Sequence, residues 1–255
     1  MLWKALKTVA KEKLRGNWGW GALTILLFGV ASNIMLFAGY MLFTVALLLT
    51  LLILKPVNDD FYGILGIFIL IIFPIFLFTM VYVLLFLLTG IQAATYDLVS
   101  GKKTDNVFAA TFSQFIHHRG WRFFKTWLLS LVFNTLWSFL FLIPGWIKGL
   151  AYSQSLYIIQ DAIDNGTSMT ARKAITLSRK VMDGHKWELL GLMLSFVGWL
   201  FLSIITYGIG FFWTLPYMFT TMAEYHKYVM ADYTRRHQNG LPSSKTYTTA
   251  SYSVK

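Results

Sequence analysis

Five residues on one stretch of the chain have the types and spacing to do chemistry. Gln154, Tyr157, Asp161 and Asp164 recur at i, i+3, i+7 and i+10, with Lys148 shortly before them. On a helix that spacing makes one polar line. The surrounding sequence is apolar, and polar groups at membrane depth are tolerated only where they meet protein, water or a polar ligand. The line is therefore expected to turn inward and border a groove. Lys148, near the outer end, would attract an anionic head group, while Gln154 and Tyr157 would bind polar atoms deeper in.

Other constellations fall short of a site. There is no cysteine, which removes disulfides, thiolate metal sites and a cysteine nucleophile in one step. His117, His118, His185, His226 and His237 show no ligand spacing, and His185 with Glu188 at i, i+3 is not an H-E-x-x-H motif. They read as residues of the cytoplasmic interface. No G-x-S-x-G elbow raises a serine to a nucleophile. Catalytic residues, metal and cofactor are all expected to be absent. Glu224 and Lys227, also at i, i+3, read as a surface pair.

The elements that must position the polar line are membrane helices. A chain of 255 residues with 56% hydrophobic and 13% charged residues is outside the balance of a soluble protein and reads as polytopic. The net charge of +11 would suit nucleic acid, but its placement speaks for a membrane. Segments 1–17, 90–126, 160–188 and 224–255 hold five basic residues each, leaving only Lys55 and Lys148 of the 22. Basic segments alternating with two nearly uncharged ones follow the positive-inside pattern. No base-reading module accompanies the charge, so nucleic acid is not expected as a partner.

Taken in order, residues 1–17 form a basic amphipathic interfacial helix with Leu2, Trp3, Leu6, Val9, Ala10 and Leu14 on one arc. Residues 18–230 form the membrane domain. Its spans are expected at 18–54, 61–89, 123–143, 146–163, 187–207 and 211–228. The first is uncharged for its whole length, too long for one straight crossing, and Gly29, Ser32 and Asn33 mark a place to kink. Lys55 to Asp60 is a polar turn, and Pro74 a kink in the second span. Segment 91–122 reads as a cytoplasmic loop with short interfacial helices. Pro144 and Gly145 make a tight outer turn. Ser168 or Thr170 caps a second basic interfacial helix reaching Met182. Residues 231–255 read as a disordered basic tail. The fold class is all-α, with six transmembrane helices, two amphipathic interfacial helices and both termini cytoplasmic.

The hairpin from Gly184 to Tyr217 is the element the others are expected to pack on. Gly184, Gly191 and Gly198 lie seven apart with Ser195 beside them, a small-residue strip suited to close helix contact.

Three runs carry a resemblance. They are Ile143-Pro144-Gly145-Trp146-Ile147-Lys148 with Ala151-Tyr152-Ser153, then Ser178 through Gly184-His185-Lys186-Trp187, then Leu194 to Trp199 with Gly208-Ile209-Gly210 and Pro216-Tyr217. Together they resemble the bacterial membrane-protein family called domain of unknown function 975. Asp164-Asn165-Gly166 and Tyr225-His226-Lys227 depart from that family's pattern. The resemblance implies a six-helix protein of the bacterial cytoplasmic membrane and transfers no catalytic residue. The function expected is non-enzymatic binding or organisation of membrane lipids or of another membrane protein, with a homo-oligomer as one form of partner. A transporter or permease-like component is the alternative, and a lipid-modifying membrane enzyme the third reading.

Overall fold

Long runs of Leu, Phe, Ala and Met with few breakers favour helix wherever caps and turns permit, and helix is the only regular structure among the described residues. The computed structural model describes residues 2–54, 66, 71, 73–115, 119–140 and 142–237. Eleven α-helices are assigned there: α1 Leu2–Leu14, α2 Trp18–Leu54, α3 Phe73–Val99, α4 Val107–Thr111, α5 Arg119–Leu140, α6 Leu142–Tyr152, α7 Ser155–Asp164, α8 Ala171–Val181, α9 Lys186–Leu194, α10 Val197–Ile205 and α11 Phe211–His237, with a 3-10 turn at Ser113–Phe115. Among the described residues, three helical stretches are long and apolar enough to cross a membrane: Trp18–Leu49, Phe73–Val99 and Lys186–Ile205.

The chain forms two units, residues 26–89 and residues 1–25 with 90–255. In the first, α2 and α3 meet at Gly39, where an added Cβ would stand 2.8 Å from the Met80 sulfur. Phe43 stacks on Phe76 at 5.0 Å beside this contact. Helix is assigned without a break through Gly29–Asn33, where a kink was expected. Ser32 and Asn33 return their side chains to the carbonyls of Phe28 and Gly29 at 2.8 Å, so the helix continues through them. Pro74, expected to kink the second span, lies within α3. The expected turn 55–60 lies outside the described residues, as do His117 and His118.

The larger unit differs from expectation at three element boundaries. α3 continues as helix to Val99, into the segment expected to be loop. Pro144 and Gly145, expected to make the turn, are helical residues of α6, Leu142–Tyr152. α11 runs to His237, which makes helix of the first seven residues of the expected tail, and residues 238–255 lie outside the described ones.

The fourth and fifth expected spans are each stepped. The helix leaves register at Ser153–Gln154 between α6 and α7, and again at Ser195–Phe196 between α9 and α10. α5 packs antiparallel on α6 and α7 along a seam of small residues. A Cβ on Gly145 would be 2.7 Å from Ser138 Cα, one on Gly149 would be 3.1 Å from Asn134 Oδ1, and Ser130 shares a 3.1 Å hydrogen bond with Ser155. Ser130, Asn134 and Ser138 are four residues apart, so they share one face of α5.

α8 begins where Thr170 accepts from the Lys173 amide, one of the two caps expected. Its buried face, Ala174, Ile175, Ser178 and Val181, packs on protein, and the Ser178 hydroxyl donates to the Ala151 carbonyl of α6 at 2.7 Å. α1 buries Leu6, Ala10 and Leu14 and packs on α11.

Candidate functional site

The step between α6 and α7 turns the Gln154 amide toward α11. Its Oε1 lies 3.1 Å from His226 Nδ1. The other ring nitrogen, Nε2, lies 3.1 Å from Asp161 Oδ2. The Tyr96 hydroxyl of α3 donates to the second Asp161 oxygen, and the Tyr157 ring stacks on the imidazole with centroids 5.0 Å apart. Next to Asp161, the Gln160 amide donates to Asp97 Oδ1 at 2.8 Å and to the Ala93 carbonyl at 3.1 Å. Lys227 donates to the Val99 carbonyl at 2.8 Å.

Gln154 is 2% exposed and His226 fully buried. Tyr157 and Asp161 are buried too, and what these three residues of the polar line meet is protein, Tyr96 and His226. Both His226 nitrogens are occupied, so the ring holds α7 to α11 and offers no lone pair to a metal. The network is not complete: Gln160 Oε1 is buried without a hydrogen-bond partner among the described residues, a costly arrangement at such burial. Asp164, at the end of the line, pairs instead with Lys102 at 3.1 Å.

Lys148 belongs to a different place. Its ammonium lies 4.5 Å from the centre of the Trp137 ring. It lines a groove of about 420 Å³ with Arg179, Lys180, Lys186 and Asp183. Through Thr176 and Arg179 that groove adjoins a second of about 390 Å³, walled by Phe133, Trp137, Tyr152 and Ile175, with Arg172 at its side. Among the described residues, Arg172, Arg179, Lys180 and Lys186 form no ion pair with a carboxylate. Arg172, Arg179 and Lys180 come from the face of α8 that points away from the buried Ala174–Ser178 face, and Lys186 is the first residue of α9. Expected at the outer end of its helix, Lys148 instead shares a groove with Arg179 and Lys186, which the charge pattern assigns to the inner face.

A third polar group joins α9 to α11. His185 Nδ1 lies 2.6 Å from Glu188 and Nε2 2.9 Å from Asp232, which also pairs with Arg236 at 2.6 Å. Burial pushes the Asp232 carboxyl up, but its hydrogen bond from His185 and the Arg236 charge outweigh this and hold it below its usual range.

The small-residue strip is used unevenly. A Cβ on Gly191 would be 2.2 Å from the Trp3 ring, so α1 is the neighbour that needs the glycine. Gly198 has nothing within 4 Å. Gly184 adopts φ +84 in the turn before α9, a backbone role rather than a packing one. The Ser195 carbonyl receives the Lys7 ammonium at 3.1 Å.

Sequence reasoning missed Tyr96, Asp97 and His226 as partners of the polar line. They stand in segments read as cytoplasmic loop and helix end, where a polar residue raises no cost and draws no notice. Gln160 sits beside the line, one residue off its spacing.

No curated protein and no solved structure matches the chain. A family model does match, over residues 56–232, and it covers the helices that build both the buried network and the basic groove. The chain belongs to that family, Protein of unknown function (DUF975).

Proposed function

We propose that the chain is a non-enzymatic, multi-pass protein of the bacterial cytoplasmic membrane that holds an anionic lipid in the groove between α5, α6 and α8. Through that lipid it would organise its surroundings or a partner membrane protein. The observation that carries the reading is the convergence of Lys148, Arg179 and Lys186 beside the apolar wall of Phe133, Trp137 and Ile175. Cations without carboxylate partners next to aromatic surface suit an anionic head group whose acyl chain leaves along the aromatics.

On this reading both termini are cytoplasmic. α2 and α3 cross as a pair, and each later hairpin enters and leaves the membrane on the same face. The count is six crossings if both later hairpins reach the far side. The groove then lies toward the cytoplasmic leaflet, where the anionic surface potential acts.

Lipid retained by protein purified in mild detergent tests the reading. Phosphatidylglycerol should be retained over phosphatidylcholine. Each basic residue near an anionic surface is worth about 1 kcal/mol, so Lys148→Glu with Arg179→Glu should cut retention by more than about tenfold. Equal retention by parent and double variant rejects the groove as a lipid site. One observation favours a second reading: the buried Asp161–His226 pair resembles the polar groups that coupled carriers keep inside helices. Substrate-dependent flux in proteoliposomes, lost in His226→Gln, would support that carrier instead.

A further inference from the structure

We infer that the hairpin formed by α10 and the start of α11 does not cross the bilayer but inserts into the cytoplasmic leaflet alone, with α9 lying at the head-group level. The hydropathy of Lys186–Ile205 admits a crossing. The position of α1 argues against it.

Between Lys4 and Arg15 the chain carries five basic residues. α1 follows α9 and then reaches α11. The Trp3 ring lies on Gly191, Lys7 donates to the Ser195 carbonyl at 3.1 Å and stands 4.3 Å over Phe196, and Lys11 stands 5.5 Å from the Tyr217 ring. Leu14 and Pro216 then meet at Gly21. A full crossing by α9 and α10 would carry α1 into hydrocarbon, where each charge costs at least about 2.5 kcal/mol. Five charges make that placement untenable, so the chain up to Phe196 on one arm and from Pro216 on the other lies at or outside the interface.

Beyond that level little helix is left. α10 has nine residues, roughly 13 Å of rise against a ~30 Å hydrocarbon core. The step at Ser195–Phe196 is where the direction changes from interface to insertion, and Lys7 satisfies a carbonyl exposed by the step.

The tip is built for a medium without water. Every backbone N–H from Tyr207 to Trp213 is bonded within the hairpin: Tyr207 to Ile204, Gly208 to Ser203, Ile209 to Thr206, Gly210 to the Thr206 hydroxyl, Phe211 to Gly208, Phe212 to Ile209, and Trp213 to Gly210. Ser203 and Thr214 bond each other across the hairpin at 2.9 Å. Donors bonded within the hairpin suit a turn placed in hydrocarbon. The surface it presents is Phe201, Ile204, Ile205, Ile209 and Trp213 around Tyr207, which is 99% exposed. No charge occurs between Glu188 and Glu224, so no charged group on the tip calls for the aqueous far side. The occupant of this surface is the acyl region of one leaflet, with anionic head groups against Lys7 and Lys11.

The parent has no cysteine, so single-cysteine variants report position directly. Tyr207→Cys and Ile209→Cys, with Lys4→Cys and Asn58→Cys marking the two faces, are exposed to an impermeant maleimide in vesicles of each orientation. Both tip cysteines should label from neither face, no more than lipid-facing Leu42→Cys. A bimane attached through a permeant reagent should be quenched more by lipids spin-labelled near the chain end than near the head group. Labelling from the Asn58→Cys face overturns the inference in favour of a crossing. Labelling from the Lys4→Cys face overturns it in favour of a hairpin in water. Neither result depends on whether the basic groove binds lipid.

Discussion

At the scale of single residues, the buried network and the α1 contact make opposite demands. Gln154→Leu removes the oxygen that faces His226 Nδ1 and strands a fully buried ring nitrogen, a loss of about 1–3 kcal/mol. A fall in detergent melting temperature reports it, and an unchanged melt means the amide is dispensable. Gly191→Leu pushes a branched side chain into the Trp3 ring, at a cost of about 1–3 kcal/mol by overpacking. Gly198→Leu meets open space and should melt like the parent. Equal losses at both glycines would mean that a second surface covers Gly198. Asp232 supplies a pH signature. Its folded carboxyl titrates below the unfolded one, so its contribution is complete above about pH 4 and fades as pH falls through the folded value. Asp232→Asn should therefore lower the melting temperature at pH 7 more than at the most acidic pH the fold withstands, and an equal difference at both would assign the loss to packing.

Among elements, what could be read in advance depended on whether a residue's neighbours lay close in sequence. The α1 arc, the Thr170 cap and the basic face of α8 depend on spacing within a turn or two, and the described helices carry them. The seam of Ser130, Asn134 and Ser138 against Ser155, Gly149 and Gly145 was hidden, because small polar residues spaced by four announce a close approach but do not name the partner. The steps at Ser153–Gln154 and Ser195–Phe196 were hidden for another reason. Neither contains Pro or Gly, and each is set by tertiary bonds, from Gln154 to His226 and from Lys7 to Ser195. The burial of Gln154, Tyr157 and Asp161 is what the cost of polar groups in apolar surroundings asks for. Their partners were not legible, because Tyr96 and His226 come from elements 65 residues away on either side of Asp161.

The whole molecule is constrained most by parity. A chain whose basic segments all keep to one face can add hairpins of either depth without moving its ends, so the charge pattern specifies sidedness more firmly than it specifies a count. The six expected crossings and the shallower arrangement inferred for the α10–α11 hairpin agree on this. Both place residue 103 and the end of α11 in the cytoplasm and the connection between α2 and α3 outside. A reporter active only in the cytoplasm should therefore work when fused after residue 103 or after His237, and fail after residue 58. The uncharged length of α2, 37 residues, is what makes the test sharp. If α2 doubled back and crossed twice, the reporter would work after 58 and fail after 103, and Lys102 and Lys103 would face outward against the charge rule. An uninterrupted helix from Trp18 to Leu54 has no turn in which to double back. A working fusion after 58 would thus count against both the charge reading and the helix as described.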